Sequence, residues 1–321
     1  MKIAIVGDIH DKNQTPRKRL DIYSESLDEK LDFILSDKTL SHVLHLGDLF
    51  SKSTATEERK NILISKFRDA KNRGLNVSTI LGNHDFPNDN FDEIKKTAFY
   101  NIVLSEAIAY LAPERSAIID NVLVVALPYY IKRTKEYMKK DLIDLINKSN
   151  CQKVVILGHH MYEFGLCRDA SITIDMLKEL DSAKKNIKDI TMFLGHDHRY
   201  YDPITAGSVT LYRPGSVMRE ELSEYNITRI PCYYVYDTAT SKVEKVEIPC
   251  KSAQEIFNLK EFTTNKQIKR TFDEIKLRLS GLNIRSEQPV VKMSDELRKL
   301  SAPEQIIDYI QSLYMINNLD F

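Results

Sequence analysis

Lys2-Ile3-Ala4-Ile5-Val6-Gly7-Asp8-Ile9-His10 sets a short apolar run against a glycine, an aspartate and a histidine. Lys2 to Val6 reads as a core strand, and Gly7 to His10 as the polar loop it delivers. The same grammar recurs along the chain. Val43 to Leu46 runs into Gly47-Asp48-Leu49-Phe50, and Val77 to Leu81 into Gly82-Asn83-His84-Asp85. Val154 to Leu157 precedes Gly158-His159-His160, and Ile190 to Leu194 precedes Gly195-His196-Asp197-His198. Val122 to Leu127 adds another strand. Amphipathic stretches near helical spacing lie between them, at about 18–36, 55–73 and 134–147. Strand and helix in alternation predict an α/β layered fold with helices outside the sheets. After Gly195, the runs Val209 to Tyr212, Cys232 to Tyr236 and Lys242 to Ile248 predict a meander closing one side of the sheets.

Composition sets the frame. A chain of 321 residues exceeds one typical domain, so a large domain plus a smaller unit is expected. Apolar residues make up 42% and charged residues 29%, an ordinary soluble balance. The formal net charge is zero, which advertises no bulk nucleic-acid affinity but leaves room for a local basic groove. Cys151, Cys167, Cys232 and Cys250 form no C-x-x-C pair, so they read as reduced thiols of a cytoplasmic protein. No stretch approaches the roughly 20 apolar residues that cross a bilayer, and Asp8 interrupts any signal-peptide run. No membrane association is expected.

Chemistry concentrates in the glycine-led loops, which hold six of the eight histidines. Loops of α/β folds meet at the carboxyl ends of strands, where ligands bind. Imidazole, carboxylate and amide oxygen together suit divalent transition metals, and the lack of thiolate disfavours structural zinc. Asp-x-His and His-x-His place alternate side chains on one side of an extended segment. Two metals about 3.5–4 Å apart clamp a phosphoryl group and activate a water for in-line attack. A carboxylate can bridge two cations, and Asp48 occupies the central loop. Taken alone, His-x-His, Gly-Asp or Asn-His-Asp is as readily a surface accident, a turn or a helix cap. Their joint occurrence points to a shared metal site. His42 and His45 lie within a strand and read as structural.

The order D-x-H, G-D, G-N-H-D, G-H, G-H-x-H resembles that of the calcineurin-like metallophosphoesterase superfamily, over about residues 1–250. The resemblance implies a four-layered α/β/β/α sandwich. It implies one metal held by Asp8, His10, Asp48 and His198, and a second by Asp48, Asn83, His159 and His196, with Asp48 bridging. His159 is preferred to His160 because it directly follows the strand and its glycine. His84 would contact the scissile phosphate and help protonate the leaving oxygen, with Asp85 orienting it. The cofactors would be two divalent metal ions, Mn²⁺ in preference to others.

Gly47-Asp48-Leu49-Phe50 is similar to the G-D-L-F of the SbcD-type, meiotic-recombination branch of DNA repair nucleases. Tyr212-Arg213-Pro214-Gly215-Ser216-Val217-Met218-Arg219 is similar to that branch's Y-x-G-S-x-x-R run. The size and helical tail resemble compact bacteriophage nuclease subunits, which would place the chain in a host cytoplasm. Ser51 departs from the aspartate that often follows G-D-L-F. This branch implies an Mn²⁺-dependent DNA nuclease. A phosphatase or small-molecule phosphodiesterase would use the same centre, and a catalytically dead scaffold would need neither Asn83 nor His84. Tyr129 to Lys135 sets aromatics beside bases, which suits either a nucleic-acid backbone or a solvated helix start.

The expected domains are the phosphoesterase domain at 1–250, a reduced capping region at 251–290, and a helical docking segment at 291–321. Residues 251–300 carry 11 Lys/Arg against 7 Asp/Glu, a local basic excess. Beyond Pro303, Ile306, Ile307, Ile310, Leu313 and Tyr314 recur at helical spacing. The stripe would pack on the protein's own core or, by the resemblance, dock an SbcC-type coiled-coil ATPase. DNA and a second copy of the chain are the other expected partners.

Overall fold

The computed structural model describes residues 1–87, 90–112, 116–129, 138–162 and 171–260, together with Arg298 and Ile307. The chain divides into two compact units, Met1–Phe257 and Asn258–Phe321. The expected capping region beyond residue 260, the docking segment apart from Arg298 and Ile307, and most of the Tyr129 to Lys135 run lie outside the described residues. Among the described residues of the first unit four strands come first: β1 Lys2–Val6, β2 His42–His45, β3 Asn76–Thr79 and β4 Ala109–Tyr110. They are joined in parallel register. Eight follow: β5 Ser116–Ile119, β6 Val122–Leu127, β7 Lys153–His159, the short pair β8 Met161–Tyr162 and β9 Ser171–Ile172, β10 Asp189–Gly195, β11 Tyr201–Ala206 and β12 Val209–Arg213. The chain then returns to the first sheet with β13 Cys232–Asp237 and β14 Val243–Glu247. The sheet orders are β14-β13-β1-β2-β3-β4 and β11-β12-β10-β7-β6-β5.

Strand β1 explains the layering. Its side chains alternate between faces, and both faces are buried. Ile3 and Ile5 join Leu44, Leu46, Val124, Val155 and Phe193 in the core between the sheets. Ala4 and Val6 join the core shared with helices α1 Tyr23–Leu35, α2 Glu57–Asn72 and α3 Ala98–Leu104. A third core packs the second sheet against α4 Ile143–Lys148 and α5 Ile174–Ala183. Two short helices, α6 Glu224–Thr228 and α7 Ala253–Ile256, complete the unit. This is the expected sandwich, two sheets flanked by helices. Helix α2 begins where its sequence predicts: the Thr56 side chain accepts from the Arg59 amide at 3.3 Å, and Glu57 and Glu58 occupy the first turn.

The expected meander is corrected. Strand β12 pairs in parallel with β10 in the second sheet, whereas β13 pairs antiparallel with β1 in the first. Pro214-Gly215, with φ +74° at Gly215, turns the chain out of β12 and ends that strand. The edge strand β5 was not expected. It forms a hairpin with β6 through Asp120 and Asn121, both at positive φ (48° and 63°), the conformation a tight hairpin turn requires. Among the described residues, no helix is long and apolar enough to cross a membrane.

Candidate metal centre

Parallel strands β1, β2 and β3 deliver the loops at Gly7, Gly47 and Gly82 to one edge of the first sheet. Strands β7 and β10 deliver His159 and the His196 loop from the second. Three of the delivered residues, His10, Asp48 and His196, have positive φ (49°, 56° and 83°). Side chains rarely adopt this backbone, and such strain persists only where surrounding structure over-determines it. Gly47, at φ +97°, is hemmed in by two other loops: a Cβ there would lie 2.7 Å from both the Gly82 nitrogen and His159 Nδ1. Only glycine lets the three loops close to this distance.

The side chains converge. Asp8, His10 and His198 form one candidate ligand group, and Asp48, His159 and His196 another. His10 Nε2 lies 2.9 Å from His198 Nε2, and His198 Nε2 lies 3.6 Å from Asp8 Oδ2. Asp48 stands between the groups, its Oδ2 3.4 Å from His10 Nε2 and 3.3 Å from His159 Nε2. Asn83 Oδ1 is 3.1 Å from His159 Nε2. His159 Nδ1 donates to the Leu46 carbonyl at 2.7 Å, so Nε2 is the ring nitrogen turned to the cluster. His160 is buried elsewhere, its ring stacked on Tyr129 with centroids 6.3 Å apart. Tyr129 also lies beside His159 and His196, at 6.3 and 5.5 Å.

Electrostatics fit a cation-binding cluster. Burial raises the Asp8 pKa, an effect that His159 opposes and Asp48 reinforces. Burial lowers that of His10, and it lowers that of His196 to about 4, with His159 adding to the effect. For Asp48 burial is outweighed by His159, His10 and His84, which hold its carboxyl well below the usual range. Burial opposes charge on His159 too, but Asp48 and Asp8 lift its pKa to about 9. Carboxylates and imidazoles packed this closely lean on each other's charge, which is the work a bound cation would take over. The nitrogen and oxygen donors present therefore suit two divalent ions.

His84 is half turned out of this cluster. It shares a third candidate group with His10 and Asp48, with its ring centroid 5.0 Å from that of His10. Its Nδ1 lies 2.9 Å from the Ser51 carbonyl, and its amide donates to Asp48 Oδ1 at 2.8 Å. The expectation that Asp85 orients His84 is corrected here. Within the 3₁₀ turn Asn83–Asp85 the Asp85 carboxylate folds back and accepts the amides of Gly82 (2.8 Å), Asp48 (2.9 Å) and Leu49 (3.1 Å). Burial and the Asp48 charge push its pKa up to about 8, against these donors. Asp85 ties the second and third loops together, and the Ser51 carbonyl holds His84.

The Tyr212 to Arg219 run braces the ligand loops from behind. The Val217 amide donates to the Asp8 carbonyl at 2.9 Å and the Ser216 amide to the His198 carbonyl at 3.2 Å. The Gly215 carbonyl crowds Gly7 so closely that no Cβ fits there. One residue past this run lies Glu220, absent from the sequence-based site. Its Oε1 is 3.4 Å from His198 Nδ1 and 3.9 Å from His10 Nε2, while Oε2 is 2.6 Å from Lys12 Nζ. Burial opposes its charge, but His10, His198 and Lys12 outweigh burial and keep its carboxyl low. No glycine or strand marks Glu220, so only its place after Arg219 could have flagged it.

Among solved structures, the chain is similar to the TT1561 protein of Thermus thermophilus, at 15% identity and TM-score 0.48, covering 77% of this chain and 99% of that one. It is also similar to a dimetal phosphatase from Danio rerio, at 10% identity and TM-score 0.48, covering 78% and 97%. The search of curated proteins found no match. The family model of the calcineurin-like phosphoesterases matches residues 1–200, the span that contains every loop of the cluster. The chain belongs to the calcineurin-like phosphoesterase family, whose members are metal-dependent.

Proposed function

We propose that this phosphoesterase is an Mn²⁺-dependent DNA nuclease, with Asp8, His10, Asp48, Asn83, His159, His196 and His198 as its metal ligands. The observation that carries the reading is the shape of the surface around the cluster. Two clefts, of about 520 and 660 Å³, meet at Lys12, His198 and Glu220. One extends past His84 and Lys52, the other past Arg199 and Tyr225. A phosphate at the cluster would therefore have room for chain on both sides, as a diester within a polynucleotide needs and a monoester does not. Lys52 and Arg199 supply cations for flanking phosphates, while Lys12 is paired with Glu220. The G-D-L-F and Y-x-G-S-x-x-R resemblances point the same way.

When bound, the ions supply charge neutralisation at the phosphoryl group and a nucleophile at neutral pH. The chain's own residues do the rest. Asp48 holds the two ligand groups together through one oxygen. The Ser51 carbonyl accepts from His84 Nδ1 and leaves Nε2 as the ring nitrogen available to exchange a proton with the leaving oxygen. The Leu46 carbonyl behind Nδ1 sets the orientation of His159, and Asn83 Oδ1 lies beside its Nε2.

Labelled single- and double-stranded DNA, compared with a panel of phosphomonoesters under Mn²⁺, tests the reading. Cleavage of DNA with little monoester turnover is expected. The reverse preference would make the chain a phosphatase. An SbcC-type ATPase and a second copy of the chain are proposed as protein partners on the resemblance alone. Loss of ATPase co-purification on truncation after Ser301, with the metals retained, would assign docking to residues 302–321.

A further inference from the structure

We infer that Glu220 is the carboxylate that positions His198, and with it the Asp8–His10–His198 half of the metal centre. The inference rests on the ligand reading above. His198 carries two ring nitrogens with different surroundings. Nε2 faces His10 Nε2 at 2.9 Å and Asp8 Oδ2 at 3.6 Å, and Nδ1 faces Glu220 Oε1 at 3.4 Å. For Nε2 to offer a lone pair to a cation, Nδ1 must hold the proton, and a carboxylate beside Nδ1 secures that tautomer. His159 in the other half achieves the same end differently, by donating from Nδ1 to the neutral Leu46 carbonyl at 2.7 Å. The two halves of the centre therefore differ in charge behind their imidazoles.

Glu220 is built for this task. Its side chain is 11% exposed, and its Oε1 has no hydrogen-bond partner among the described residues, although Oε2 is paired with Lys12 at 2.6 Å. A buried carboxylate oxygen without a donor is uncommon. The imidazoles of His198 and His10, both in the candidate ligand set, lie 3.4 and 3.9 Å from it. Lys12 fixes the carboxylate from the cleft side. Arg229 fixes the backbone on the other side, donating to the carbonyls of His198 (3.0 Å) and Ser216 (2.8 Å). His198 itself is 43% exposed, so packing alone does not hold its ring.

The full chain, stripped of metal and titrated with Mn²⁺ by calorimetry and electron paramagnetic resonance, tests this. Wild type should bind two ions as a coupled pair. Glu220→Ala should keep one affinity and weaken the other by about 10–100-fold, the usual effect of losing such a partner. Glu220→Gln should fall between, because its amide oxygen can accept from Nδ1 but carries no charge. On the His198→Ala background Glu220→Ala should add little. Apo-protein melting of Glu220→Gln should match wild type, which separates positioning from folding. Two ions bound with wild-type affinities in both Glu220 variants would overturn the inference and leave the ligand reading standing. Equal weakening of both ions would also overturn it. Fewer than two ions in wild type would overturn the ligand reading itself.

Discussion

His84 Nδ1 and the Ser51 carbonyl oxygen lie 2.9 Å apart. This contact links the G-N-H-D loop to the residue just after G-D-L-F and, on the proposed reading, leaves His84 Nε2 for the substrate. His84→Gln should keep both ions while turnover falls about 10²–10⁴-fold, the range for loss of acid assistance. Metal analysis beside kinetics checks it. Metal lost in parallel with activity would make His84 a ligand, as its nearness to His10 and Asp48 allows.

Asp48→Ala should be the most damaging ligand change. One oxygen of Asp48 lies within 3.4 Å of an imidazole from each half of the centre. Its removal leaves two cations facing each other with less neutralisation, so at least one ion and nearly all activity should be lost. Two tightly bound ions in an active Asp48→Ala protein would exclude the bridging role.

Arg59 anchors the segment that follows His10. Its guanidinium binds Asp11 at 2.9–3.1 Å and Asp28 at 2.8–3.0 Å, and the Asp11 side chain is fully buried. Arg59→Met should destabilise the protein by roughly 3–5 kcal/mol, because a buried carboxylate is left unpaired. Asp11→Asn on that background should restore part of the loss in denaturant unfolding. No recovery in the double variant would mean that Arg59 acts through packing.

Acid should weaken the metal-free protein through its buried neutral histidines. Burial lowers the pKa of both His45 and His160 from 6.5 to about 3. His45 Nδ1 is satisfied by Thr79 Oγ1 at 2.8 Å, whereas Nε2 has no hydrogen-bond partner, so a second proton has no acceptor. The folded state thus binds fewer protons than the unfolded chain as pH falls below 6.5. Stability is full above that value and declines toward the folded pKa, by up to about 1.4 kcal/mol per pH unit for each group. His45→Gln should shrink the stability difference between about pH 7.5 and about pH 5 measured with denaturant. An unchanged difference would assign the acid sensitivity elsewhere.

Chelation should abolish activity reversibly, with Mn²⁺ restoring it better than Mg²⁺. Mg²⁺ prefers oxygen ligands and keeps its waters, while the imidazole nitrogens of this cluster favour a transition ion. Equal rescue by Mg²⁺ at similar concentration would count against a centre dominated by histidine.

The sequence was most legible where one residue type had to meet one physical demand. Glycine-led loops after apolar runs announce backbone turns at strand ends, and the structure brings Asp8, His10, Asp48, His159, His196 and His198 into two adjoining groups. The edge strand β5 was hidden because its alternation is shallow and Ile118 points outward, 66% exposed. Asp85 misled by adjacency: next to His84 in sequence, it turns back to three amides that come together only in the folded loops. Glu220 was invisible for the opposite reason, since it lies 22 positions beyond His198 (220 minus 198) and meets it only through the Pro214-Gly215 turn.

Each half of the proposed centre draws on both sheets. Asp8 and His10 follow β1 while His198 follows β10, and Asp48 follows β2 while His159 ends β7 and His196 follows β10. An ion in either position would then be a clasp across the sandwich as well as a reagent. Its binding free energy adds to the resistance of the two sheets to separation, by linkage to the folded state. Local opening at this edge would release metal, so the rate at which ions exchange would report how often the two halves of the sandwich part.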